Sequence, residues 1–271
     1  MFKSLAINWQ RMALTGCIAL SPLAAQAHNI WLLPSSTVLS KSETITVDAA
    51  VSNDLFVFNY LPLALDKLRV RGPDGKALPI ENAHQGKLRS VFDLTPSQPG
   101  TYQLTLLNQG LFASYRHQGE TKRWRGSAQA LETAIPKDAT DIQITESFGR
   151  VESFITLGKP STPELDAKGL ELAPVTHPND LVRGETARFR FLIDGEPAAN
   201  LEVTVIRGGT RYRNRQDELV AKTDATGELS ITWSEAGMYW LEATHNDQKS
   251  SQAKTKNRRL SYVATLEVAP E

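Results

Sequence analysis

One cysteine, Cys17, occurs in the 271 residues, which excludes an intramolecular disulfide and any Cys-x-x-Cys site, so the fold must rest on its apolar core. An excess of either charge is also missing. The 30 basic and 30 acidic residues cancel, so nothing predicts a nucleic-acid partner or a polybasic membrane surface. Beyond the amino-terminal region no apolar run approaches the roughly 20 residues of a bilayer span, and no stable membrane insertion is expected. His-Glu-x-x-His, Gly-x-Ser-x-Gly, a phosphate loop and calcium-loop spacing around Asp224 are all absent from the sequence. Hydrolase, kinase and zinc-protease chemistry thus lack support, and the chain reads as non-enzymatic. Helical periodicity is weak; Ser127 to Thr133 can hold one short turn.

What is present begins with a leader. Lys3 and Arg11 flank a basic region, Met12 to Ala25 is apolar, and Ala25-Gln26-Ala27 supplies the small-x-small pattern of a signal-peptidase site. Cleavage after Ala27 predicts a signal peptide over residues 1–27, a periplasmic location and His28 as the mature terminus. Leu14-Thr15-Gly16-Cys17 resembles a competing lipidation site, but only Met12, Ala13 and Leu14 precede it as an apolar run. Lys3 and Arg11 leave with the leader, so the mature chain would carry 28 basic against 30 acidic residues.

Short runs of period-two alternation follow, separated by turn residues, which is the pattern of antiparallel β structure. Thr44 to Val51, Lys67 to Arg71 and Thr101 to Leu106 alternate in this way, with Pro73-Asp74-Gly75 and Gln98-Pro99-Gly100 as turns. From Leu170 the pattern resumes in Thr186 to Ile193, Leu201 to Ile206, Leu229 to Trp233 and Met238 to Ala243. The predicted fold is therefore all-β: two immunoglobulin-like or prealbumin-like antiparallel β-sandwich domains after the signal peptide. The first spans 28–157 and the second 170–271, joined by a proline-bearing linker, 158–169. Pro99-Gly100-Thr101-Tyr102 and Ala236-Gly237-Met238-Tyr239 echo one another. In each, Gly closes a turn and a Tyr two positions on can bury its ring while its hydroxyl reaches backbone at a sandwich corner.

Five histidines carry the possible metal chemistry: His28, His84, His117, His177 and His245. A terminal His28 would be a chelate, because its α-amine and imidazole Nδ1 can close a six-membered ring on one ion. An α-amine loses its proton near about pH 7.7–8.0, within reach of displacement by a metal. Another imidazole, with His117 the first choice, would complete a nitrogen set suited to copper or nickel. His84 reads as a solvated residue, His177 before Pro178 as a turn cap, and His245 as a strand-end residue. Two basic aromatic clusters, Lys122-Arg123-Trp124-Arg125 and Arg211-Tyr212-Arg213-Asn214-Arg215, can either grip anions and rings or lay their long stems over apolar surface.

Ala27-His28-Asn29-Ile30-Trp31-Leu32-Leu33-Pro34, followed by Val47 to Phe56, resembles the opening of a bacterial periplasmic NikM-like (nickel-uptake-associated) family with a domain of unknown function. The stretches His177 to Leu181, Asp194 to Pro197, Thr223 to Gly227 and Gly237 to Tyr239 are similar to its second half. The resemblance implies a periplasmic accessory of transition-metal uptake, for nickel, cobalt, copper or iron, working beside an outer-membrane receptor or an inner-membrane metal transporter. Asn29 and Asn59-Tyr60 depart from the family pattern, which has an acidic residue after the leading His and an acidic residue with His at the later positions. Two other readings stay open: an envelope docking or structural module without metal, and a copper-dependent exported enzyme using a terminal His brace.

Overall fold

The computed structural model describes residues 28–271; the leader, its cleavage site and Cys17 lie outside the described residues. The main strands in chain order are β1 (Asn29–Pro34), β2 (Ile45–Ser52), β3 (Leu68–Arg71), β4 (Ser90–Leu94), β5 (Gly100–His117), β6 (Glu120–Gly126) and β7 (Thr140–Leu157). After them come β8 (Leu170–Pro174), β9 (Thr186–Ile193), β10 (Glu202–Arg207), β11 (Leu219–Lys222), β12 (Glu228–Thr232), β13 (Gly237–Asp247) and β14 (Arg258–Val268). One helix, α1 (Ala128–Ala134), follows Ser127, whose hydroxyl accepts the Ala130 N–H at 3.2 Å as an N-cap.

Strands β1, β2 and β4 form an antiparallel sheet in that order, and β9 lies between β8 and β12 in another. The remaining main strands share one ten-stranded sheet with the spine β11-β10-β13-β14-β7-β5-β3. Its centre is the parallel pair β7 and β14, in register from Glu146 with Arg258 to Ser153 with Thr265. Side chains alternate across a strand, and here the alternation sorts them between two cores. On β7, Val151, Ile155 and Leu157 enter the first core while Phe148 and Phe154 enter the second. On β14, Val263 enters the first core and Leu260, Tyr262, Ala264 and Leu266 the second. The two sandwiches are therefore all-β units built on opposite faces of one sheet.

Both predicted corners are present. The Tyr102 hydroxyl donates to the Gln98 carbonyl at 3.0 Å, and the Tyr239 hydroxyl to the Glu235 carbonyl at 2.7 Å. Two residues before each Tyr, Gly100 at φ 134° and Gly237 at φ 132° take backbone that a side chain would strain. The echo in the sequence is thus a structural repeat.

Period-two alternation in Thr101 to Leu106 predicts a solvated polar face, yet Thr101, Gln103 and Thr105 are buried. Thr101 Oγ1 meets His177 Nε2 at 2.9 Å, while Gln103 and Thr105 face a charged cluster under the second sandwich's side of the sheet. The Glu152 carboxylate accepts from Gln103 Nε2 at 3.0 Å, Thr105 Oγ1 at 2.9 Å and the Tyr262 hydroxyl at 2.9 Å. Arg150 lies between Glu152 and Glu171, each at 3.2 Å, and Asp166 at 3.1 Å. Burial pushes the Asp166 carboxyl up, but Arg71 and Arg150 outweigh it and hold it below its ordinary value. Complete burial and the neighbouring Glu152 push the Tyr262 phenol well above its own.

The linker segment 158–169 is fastened along this seam. Gly158 N–H donates to the Leu39 carbonyl at 2.8 Å, Ser161 N–H to Thr101 Oγ1 at 3.0 Å, and Asp166 pairs with Arg71 at 2.9 Å. Among the described residues no helix is long and apolar enough to cross a membrane.

Candidate metal site at His28

His28 stands one residue before β1, so the pairing of β1 with β2 decides where it sits. The register sets Asn29 opposite Ser52 and Trp31 opposite Ala50. Fully buried Trp31 anchors the strand and donates its indole N–H to Ser52 Oγ at 2.8 Å. Past Ser52 the chain folds into a loop stitched by its own side chains. Asn59 Oδ1 accepts the Asn53 N–H at 2.9 Å, Asn59 Nδ2 donates to Asp54 Oδ2 at 2.8 Å, and Asn29 Nδ2 donates to the Asn53 carbonyl at 3.3 Å.

Aromatic packing holds the loop down. Phe56 and Phe58 lie 5.6 and 5.5 Å from the Trp31 ring, and the Arg89 guanidinium sits 4.4 Å over Phe58. Phe56 adopts φ 60°, costly for a bulky residue, so the packing must fix it there. Gly208 of the second sandwich makes the room: a side-chain carbon at that position would approach Phe56 to 2.9 Å. The loop ends by laying Tyr60 face to face on His28, ring centroids 3.8 Å apart and planes 15° from parallel.

The structure thus sets His28 against Tyr60, at the end of the loop that Asn59 and Asp54 brace, but it does not bring His117 there. His117 ends β5 at the tip of an arm formed by β5, β6 and β7, with its Nε2 3.3 Å from Asp138. Asn108 of β5 lines a cavity with Ile30, and nine residues of strand at about 3.3 Å each, roughly 30 Å, separate His117 from Asn108. The reason is the unbroken length of β5, which alternation alone did not reveal. The other histidines are also apart from His28. His84 is exposed on the short edge strand Glu81–Gln85, and His245 lies 3.8 Å from Asp247. No group of three or more His, Cys, Asp and Glu among the described residues is arranged to hold a metal.

His177 caps its turn as the sequence suggests, its Nδ1 accepting the Asn179 N–H at 3.1 Å. The neutral ring therefore carries its proton on Nε2, which meets the Ser161 carbonyl at 3.1 Å. Burial lowers its pKa. A histidine lowered on folding contributes stability that is complete above its unfolded value of about 6.5 and is lost as pH falls from there toward the folded value. Urea midpoints should accordingly drop more steeply between pH 7.5 and 5.5 for the native protein than for His177→Asn, whose amide oxygen can still cap the turn. Parallel pH profiles for the two would refute this role.

Neither basic aromatic cluster joins the His28 site. The Arg125 guanidinium stacks 5.0 Å over Phe112. Arg211 sits 5.5 Å over Tyr212 on a loop of the second sandwich.

A family model described as domain of unknown function (DUF4198) matches residues 25–247. Comparison with curated proteins gives no match. Among solved structures, the D0-D1 domain of intimin is 13% identical, with 87% of this chain and 97% of that one covered, at a TM-score of 0.21. Trypsin-activated alpha-2-macroglobulin from Escherichia coli is 12% identical, covered over 88% of this chain and 16% of its own, at 0.25. The titin I-band fragment I67-I69 is 10% identical over 91% of this chain and 67% of its own, at 0.21. Scores this low say nothing about activity, and the fold class rests on the strands themselves.

Proposed function

The chain belongs to the DUF4198 family, and from that premise we propose that it is a non-catalytic periplasmic accessory of transition-metal uptake whose cargo ion is held by a mature amino-terminal His28. The observation that supports this reading is the His28–Tyr60 stack at 3.8 Å. A ring parked against a flat neighbour at the head of a paired strand loses little rotational freedom on binding, which lowers the entropic cost of chelation.

The donor set fits a borderline divalent ion in part. Processing would free the α-amine to join the imidazole, giving two nitrogens, and Asp54 is the carboxylate of the loop that carries Tyr60, its Oδ2 already accepting from Asn59. Nitrogen with carboxylate suits Cu(II) or Ni(II) over calcium or magnesium. An ion held by so few protein donors keeps open positions. That suits hand-over to a receptor or transporter better than permanent storage.

The test is calorimetric titration of Cu(II) and Ni(II) into the native terminus, a form with one extra residue before His28, and His28→Ala. The chelate requires amine and imidazole together, so both altered forms should bind at least about tenfold more weakly. His117→Ala should bind as the native form does. Equal affinity in the first three forms would remove His28 from the function.

A further inference from the structure

The second sandwich carries a surface that the metal reading does not use. Strand β11 is the last strand of the shared sheet at that end and pairs only with β10. Its Leu219 and Val220 are 40% and 53% exposed, with Lys222 at its end as the one charge on the strand. Sheet edges of this kind recruit a further strand unless they are blunted.

Two other observations fall on the same edge. Between β11 and β12, the free edges of the two sheets, lies a cavity of about 240 Å³ with an apolar floor of Val205, Leu219, Ile231, Trp233 and Tyr239 and a rim carrying Arg207, Arg213, Asp217 and Glu235. It can take one apolar side chain. Trp233 also has a buried indole N–H without an acceptor. The loop leading into β11, residues 208–218, holds Arg211, Arg213 and Arg215 against Asp217 and Glu218. Arg213 is committed to the loop itself, donating to the carbonyls of Gly208, Arg207 and Gln216 at 2.7, 2.8 and 3.1 Å. Arg211 and Arg215 stay exposed, as does Tyr212 at 83%.

We propose that β11 is a docking edge for an extended acidic segment of a partner protein, which adds to the sheet as a strand, sets one apolar side chain in the cavity and meets Arg211 and Arg215 with its carboxylates. Strand addition draws affinity from main-chain hydrogen bonds and specificity from pockets at alternate side chains. Arg211 and Arg215 select for acidic residues at the positions facing away from the cavity.

A blocked seven-residue peptide of alternating Glu and Leu is the probe, with a Lys-for-Glu peptide as its counterpart. Fluorescence anisotropy should show saturable binding of the Glu peptide to the native protein. Binding should weaken at least about tenfold for the Lys peptide and for the double variant Arg211→Glu, Arg215→Glu. Backbone amides of residues 219–222 should exchange more slowly in the complex, and Leu219→Ala, which leaves the charges alone, should also weaken binding. Three results would each overturn the proposal: no saturable binding, equal binding of both peptides, or unchanged exchange at 219–222. A fourth is a free protein that sediments as a dimer with those amides already protected, since a second copy would then be the occupant.

Discussion

Arg150→Met is expected to lower the unfolding free energy by about 3–5 kcal/mol, the range for removing one partner of a buried ion pair. Arg150 is 2% exposed and serves three carboxylates, those of Glu152, Glu171 and Asp166. Asp166 retains Arg71 at 2.9 Å. Glu152 and Glu171 are equally buried and, among the described residues, have no other cation within an ion-pair distance. Most of the loss thus comes from carboxylates left uncompensated rather than from attraction forgone. The cycle with Glu152→Gln checks this, because the double variant should be more stable than the sum of its two single losses predicts. Urea unfolding at pH 7 reads all four proteins. A loss under about 1 kcal/mol for Arg150→Met would mean that water enters the seam and solvates the acids.

The second large effect is expected at Trp31. Trp31→Ala should cost about 3–5 kcal/mol, as large-to-small changes in a core do. The side chain is wholly buried, donates to Ser52 and backs both Phe56 and Phe58. Its removal frees the loop that presses Tyr60 on His28, so the titration described above should weaken in Trp31→Ala even with an unaltered terminus. Trp31→Phe keeps a ring for Phe56 and Phe58 to pack on and should fall between the two. Metal affinity equal to the native value in a destabilised Trp31→Ala would show that the His28 site does not depend on the loop.

Both effects arise where the sequence was least informative. Alternation exposed the strands, the Gly-x-Tyr repeat exposed both corners, and Ser127 to Thr133 read as a short turn where the structure has α1. Those signals are local, each written within a few residues. The shared sheet is written nowhere locally, because the contact of Val151 with Val263 needs two distant segments to meet in parallel. Polar residues on β5 therefore read as a solvent face, although Gln103 and Thr105 point at Glu152. For the proposed site, the cleavage pattern and the rarity of a terminal chelate are what single out His28 in the sequence. Tyr60 was not legible, since thirty-odd residues and a self-bonded loop intervene; the departure at Asn59-Tyr60 marked the position without saying what it touches.

The pairing of β7 with β14 also sets an order of events as the chain is made. Val263 lies in the first core, and Trp240 donates its indole N–H to the Ile30 carbonyl at 3.0 Å across 210 residues. The amino-terminal sandwich thus emerges before the parts that cover it exist. Contacts this distant in sequence slow folding and leave apolar strands bare in the interim. Until its last strand is free to pair, the nascent protein would need a holding chaperone, and truncation at the carboxyl end should damage the half that was synthesised first.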